Sequence, residues 1–85
     1  MAAIMRDFAK LKEHSLSDSK VQKQVETLQS YISEHFYPCD MEILSGLGQM
    51  YIEDNRFTAF IDKAAGQGTA SFVSSVIAEY VKNNG

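Results

Sequence analysis

The sequence predicts an all-α domain of five short helices in a compact arrangement, on three observations. Apolar residues recur at steps of three and four along almost the whole chain, and no stretch alternates cleanly enough to read as a strand. Side chains suited to capping, Asp18, Asp40, Asp54 and Thr69, stand just ahead of the second to fifth periodic runs. The runs are separated by about three to six residues, lengths that join neighbouring helices rather than distant ones.

The first run, Ala2 to about His14, sets Ile4, Phe8 and Leu11, with Met5 beside them, opposite Arg6, Lys10 and Glu13. Its single apolar stripe requires a neighbour to cover it. "SLSDSK" then offers Ser17 and Asp18 as caps for a second helix, along which Val21, Val25, Leu28, Ile32 and Phe36 follow at steps of four, three, four and four. Pro38 ends it, because its ring disfavours helical geometry at Tyr37 and it donates no amide hydrogen bond. Asp40 starts a third helix, Met41 to about Glu53, with Ile43 or Leu44, Leu47, and Met50 or Tyr51 as its buried set. Gly46 and Gly48 lie inside that helix, each costing up to about 1 kcal/mol relative to alanine. Asp54 caps a fourth helix, about Asn55 to Ala65, with Phe57, Phe60, Ile61 and Ala64 predicted to face inward. "GQG", Gly66 to Gly68, is a turn in which glycine can take the left-handed conformation that closes a helix. Thr69 is the expected cap of the last helix, whose broad apolar face carries Phe72, Val73, Val76, Ile77, Tyr80 and Val81.

Composition narrows the functional classes. At 85 residues the chain is one domain, and 45% apolar content spread along its length argues for a folded core. The net charge is −3, and no stretch gathers enough Lys and Arg to neutralise a run of phosphates, so this chain is expected to bind no nucleic acid by itself. The apolar runs fall far short of the roughly 18 residues of a membrane span, and charges interrupt the N-terminal segment where a signal peptide needs an apolar centre. A soluble, cytoplasmic protein is the expectation, and a monomer for the isolated domain. Cys39 has no second cysteine to pair with, and no metal or cofactor is implied.

No residues form a recognisable catalytic set, phosphate loop or His-Glu-x-x-His motif, so an enzyme is not expected. His14 and His35 read as helix-end histidines favoured by the helix dipole. Asp54 reads as a cap and Arg56 as the partner of a nearby carboxylate. Met41, Met50, Tyr51, Phe57, Phe60 and Tyr80 either fill the core or line an adaptable apolar cleft. Helical spacing places Cys39, Glu42, Ile43, Gly46, Gln49 and Met50 on one side of the third helix, where Gly46 leaves a notch for a neighbouring helix or a ligand. With Tyr37 at the approach to that helix, these seven are the candidate ligand-binding residues. Two readings follow from the residues alone: a ligand-binding domain with an apolar cleft, or a helical module that contacts another protein through an exposed apolar patch.

The stretch "HFYPCDMEILSGLGQMYIEDNRFTAFIDKAAGQGTASFVSSVIAEYV" resembles the C-terminal half of the TipAS-type antibiotic-recognition domain, the effector module of a branch of MerR-family transcriptional regulators. Its most specific part, "GLGQMYIEDNRFTAFID", is similar to that family's Leu-Gly-x-Met-Tyr-x-x-Asp-x-Arg-Phe-Thr pattern, preceded by an aromatic-x-Cys lead-in ending at Cys39. The resemblance covers residues 30 to 82 well and 2 to 29 more loosely. It implies a globin-like fold that binds bulky, largely apolar antibiotics such as thiopeptides between helices, in a multidrug-responsive regulator whose DNA contacts lie in a separate N-terminal domain. It also implies that residues 1–85 are the core of such a domain, without the flexible segments that precede it in the family. Thiopeptide-capturing members carry a cysteine immediately before the Leu-Gly; this chain has Gly46 there, so noncovalent binding is expected.

Overall fold

A computed structural model describes residues 2–84, leaving the two ends of the predicted domain, Met1 and Gly85, outside the described residues. It consists of five helices: α1 (Ala2–Ala9), α2 (Ser19–His35), α3 (Met41–Glu53), α4 (Asn55–Ala65) and α5 (Thr69–Asn84). The all-α, five-helix expectation holds, and no strand occurs among the described residues.

α1 is shorter than its apolar periodicity suggests. Beyond Ala9 the backbone tightens into i→i−3 bonds, with the Leu11 amide donating to Phe8 and that of His14 to Leu11, both at 2.9 Å. The turn keeps Leu11 packed against the core and lets Lys12 Nζ donate to the Gln67 carbonyl at 2.8 Å, pinning it to the α4–α5 connection. His14 thus sits in this connection, past the end of α1, with Nδ1 3.3 Å from an Asp18 carboxylate oxygen.

α2 begins where its cap predicts: Asp18 Oδ1 accepts from the Lys20 amide at 2.8 Å. Ser17 is not the cap and hydrogen-bonds Ser15 instead. Val21, Val25, Leu28 and Ile32 are buried, but the last member of the predicted stripe, Phe36, is 63% exposed. The cause is the helix end. Phe36 leaves helical geometry at φ −127°, and its amide and that of Tyr37 both close on the Ile32 carbonyl, so the stripe is not continued.

The core is built mainly by α5, whose Ala70, Val73, Val76 and Ile77 are fully buried, with α1 contributing Met5 and Phe8. α3 lies most extensively on α5. Their close approach explains Gly48, where an added Cβ would stand 3.0 Å from Ile77 Cγ2. Gly46 has no such neighbour within 4 Å and faces solvent. On α3 the buried residues are Leu44, Gly48 and Tyr51, and Ile43 is exposed.

α4 departs most from its predicted face. Ile61 is buried as expected, whereas Phe57 and Phe60 are 39% and 52% exposed. α4 packs on α1, α3 and α5 and at most marginally on α2, so α2 does not cover these two rings. The α4–α5 turn uses two left-handed glycines, Gly66 at φ 115° and Gly68 at φ 88°, where a side chain would be strained. Thr69 is buried but does not cap α5 as expected: its hydroxyl donates to the Gly66 carbonyl at 2.7 Å. The open amide of Ala70 is instead taken by Asp62 Oδ1 of α4, at 2.9 Å.

Candidate functional site

The helix arrangement leaves one corner unfilled. α2 packs on α1 and α5, and α3 on α4 and α5, but α2 and α3 scarcely touch each other. They are joined across the corner by the 36–40 segment, which α2 itself holds: Gln29 Nε2 donates to the Cys39 carbonyl at 2.7 Å, and Ser33 Oγ accepts from the Cys39 amide at 3.1 Å. Asp40 Oδ1 then accepts from the Ile43 amide at 2.9 Å and starts α3. With the corner braced by polar bonds at its base, the apolar surfaces above it stay apart.

Between them lies an apolar cleft of about 190 Å³. α2 and its end supply Ile32, Phe36 and Tyr37, α3 supplies Leu47, Met50 and Tyr51, and Phe57 of α4 closes one side. The Tyr51 and Phe57 rings lie 6.2 Å apart and tilted, the spacing of an aromatic pair. Phe57 is also shared with a shallow open concavity of about 460 Å³ that includes Phe60 and Arg56, so the apolar surface continues along α4.

The α3–α4 corner holds Phe57 in place. Asp54 caps α4 through the Arg56 amide at 2.9 Å, and the Arg56 side chain returns to the same carboxylate at 3.3 and 3.2 Å. The cap and the ion pair expected of these residues are therefore one interaction. Arg56 and the amides hold the Asp54 carboxyl below its usual range. Thr58 Oγ1 donates to the Tyr51 carbonyl at 2.6 Å, locking the start of α4 onto the last turn of α3.

The seven candidate residues do not share one surface. Tyr37 and Met50 line the apolar cleft. Gly46, Gln49 and Met50 line a different, open and polar concavity of about 510 Å³, completed by Glu53, Asp54 and Asn55. Met50 alone belongs to both. Glu42 and Ile43 are exposed on the outer side of α3 and line neither. Cys39 is buried in the core at 6% exposure, with its thiol pushed up first by burial and then by the Asp40 charge. Beyond the seven, the cleft includes Phe36, Leu47, Tyr51 and Phe57. Helical spacing points to Leu47 and Tyr51 as buried positions, but the exposure of Phe36 follows from where α2 ends and that of Phe57 from which helices fail to meet. Of the six residues read as core or cleft, Tyr80 belongs to the core, Met41 packs against it, Met50 and Phe57 border the cleft, Tyr51 belongs to both core and cleft wall, and Phe60 lines the adjoining concavity.

Comparison with known proteins shows the family of the chain. The family model described as the TipAS antibiotic-recognition domain matches residues 1–80. The chain belongs to the TipAS antibiotic-recognition domain family. It is also similar to the HTH-type transcriptional activator mta of Bacillus subtilis (strain 168), with 35% identity over 78 residues, covering 92% of this chain. The chain spans 30% of the length of that relative. No solved structure matches it. Within this TipAS domain, the motif from Leu47 to Thr58 is the stretch that builds the α3 wall of the cleft and the corner carrying Phe57. Among the described residues no group of His, Cys, Asp and Glu side chains is placed to hold a metal ion, and no helix is long and apolar enough to cross a membrane.

Proposed function

We propose that this TipAS domain is the ligand-sensing effector unit of a MerR-type transcriptional activator, and that it binds bulky, largely apolar antibiotics of the thiopeptide kind in the cleft between α2, α3 and α4. The observation that carries this reading is the unfilled corner: a protein with a small core leaves Phe36, Phe57 and Phe60 uncovered beside a cleft whose walls are otherwise Ile, Leu, Met and Tyr. Membership of an antibiotic-recognition family and similarity to a transcriptional activator support it. A cleft this shallow suits a large ligand laid across it and along α4, rather than a small one swallowed whole. DNA contacts would belong to another domain of a longer regulator.

Binding is noncovalent on this reading. Position 46 is glycine, and the Cys39 thiol is buried and held in its protonated form, the unreactive state of a cysteine. Incubation with a thiopeptide is expected to leave the intact mass of the protein unchanged; a stable adduct mapped to Cys39 would reverse this.

The test is an amide and methyl NMR titration of the 85-residue chain with a thiopeptide. Saturable shifts at Phe36, Tyr37, Leu47, Met50 and Phe57 are expected. The same exposed rings would also serve a helical protein-contact module, the second reading; concentration-dependent shifts at these positions without drug, and none with it, would favour that reading.

A further inference from the structure

The cleft has a buried polar group that its apolar walls do not explain. Tyr51 is 4% exposed, yet nothing among the described residues hydrogen-bonds its hydroxyl. Among the described residues no fully buried side-chain oxygen or nitrogen is left unpaired, so the hydroxyl is not sealed from solvent, and the cleft is the concavity that Tyr51 lines. Its ring pairs with Phe57 at 6.2 Å, and the Thr58 bond to its carbonyl holds the backbone that carries it. A phenol in an apolar cleft that only water satisfies, with no partner among the described residues, can exchange that water for a ligand's acceptor.

We propose that the Tyr51 hydroxyl is the specificity-determining group of this cleft, selecting neutral ligands that place a hydrogen-bond acceptor, such as an azole nitrogen or an amide carbonyl, on a flat apolar body. The proposal rests on the reading of the cleft as the ligand site. A ligand without an acceptor would cover the hydroxyl and deprive it of water with nothing in return, a penalty that sites built to hydrogen-bond use to reject analogues. An anionic ligand is disfavoured as well. Among the described residues no cationic side chain lines the cleft, and in the adjoining concavity Arg56 is already engaged by Asp54. Burial, with smaller contributions from Tyr37 and Cys39, pushes the Tyr51 phenol up to about 12, so it remains a donor throughout the neutral range. The other hydroxyl in the cleft, that of Tyr37, belongs to a residue 45% exposed, and solvent can satisfy it whatever binds.

The test uses two probes of nearly identical shape, quinoline and naphthalene, titrated by NMR against the wild-type chain, Tyr51→Phe and Tyr37→Phe. Since the Tyr51 hydroxyl has no partner among the described residues, Tyr51→Phe is expected to fold with an unchanged or slightly raised midpoint. The quinoline-to-naphthalene affinity ratio is expected to fall about fivefold in Tyr51→Phe, the size of one net hydrogen bond, and to hold in Tyr37→Phe. A ratio that survives Tyr51→Phe, or that falls in Tyr37→Phe instead, overturns the assignment to Tyr51 while leaving the cleft as the site. Failure of both probes to shift the cleft signals of the folded wild type overturns the ligand site itself.

Discussion

At the scale of single residues, the two helix-interior glycines have separate causes. Gly48 is required by contact, since its missing side chain is what lets Ile77 of α5 reach the α3 backbone, and Gly48→Leu is expected to destabilise by about 1 to 3 kcal/mol through overpacking. Gly46 faces open space in the middle of a helix, so Gly46→Ala should stabilise by up to about 1 kcal/mol through helix propensity alone. Urea unfolding of the two variants distinguishes them: opposite signs are expected, and a loss of stability in Gly46→Ala would mean that position 46 is packed after all. Titration gives a second residue-scale prediction. Asp54 and Asp18 both have carboxyls lowered in the folded state, Asp54 first by its Arg56 hydrogen bond and Asp18 first by the Lys20 amide. Groups lowered on folding contribute stability above their unfolded value, about 3.9, and lose it as pH falls through the folded value. The unfolding midpoint is therefore expected to be insensitive to these two groups near neutrality and to drop below about pH 4. Asp54→Asn should weaken that acid dependence; an unchanged acid limb would show that the Asp54 corner contributes nothing to it.

At the scale of helices, capping and periodicity were readable wherever the deciding partner is local. Asp18, Asp40 and Asp54 cap their own helices from one position upstream, and a sequence displays that directly. α5 differs because its first free amide is satisfied from α4. Asp62 is eight residues from Ala70 and sits mid-face on another helix, so only the left-handed turn at Gly66 and Gly68 brings it round. Removing it tests that arrangement. Asp62→Ala is expected to cost about 1 kcal/mol, the worth of a helix cap, and Asp62→Asn to retain most of that, with the loss read as faster amide exchange at the start of α5. Equal exchange in wild type and Asp62→Ala would assign the capping elsewhere. The shortening of α1 was unreadable for a similar reason. Leu11 continues the apolar stripe in the sequence, and it still reaches the core, but through a tighter turn that Lys12 anchors to the Gln67 carbonyl 55 positions away.

At the scale of the whole molecule, the cleft exists because α2 makes at most marginal contact with α3 and with α4. Periodicity alone gives Phe36, Phe57 and Phe60 to the core, since nothing local to a helix records which neighbours it lacks. The family motif points to the right region because Leu47 to Thr58 spans the α3 wall and the α3–α4 corner together. Helical spacing, by contrast, gathers Glu42, Ile43, Gly46 and Gln49, which follow the outer side of α3 away from the apolar walls. The decisive whole-molecule experiment therefore separates uncovered rings from packed ones. Phe57 and Phe60 stand outside the buried core, so the double variant Phe57→Ser, Phe60→Ser is expected to keep a folded amide spectrum, losing about 1 kcal/mol of stability with the Tyr51 aromatic pair. If a thiopeptide covers both half-exposed rings, each contributes about 1 kcal/mol of apolar burial, and its affinity should fall about thirtyfold. Calorimetry of the folded double variant reads this directly. Undiminished affinity would remove the α4 side from the binding surface, and failure of the variant to fold would show that these rings, despite their exposure, belong to the core.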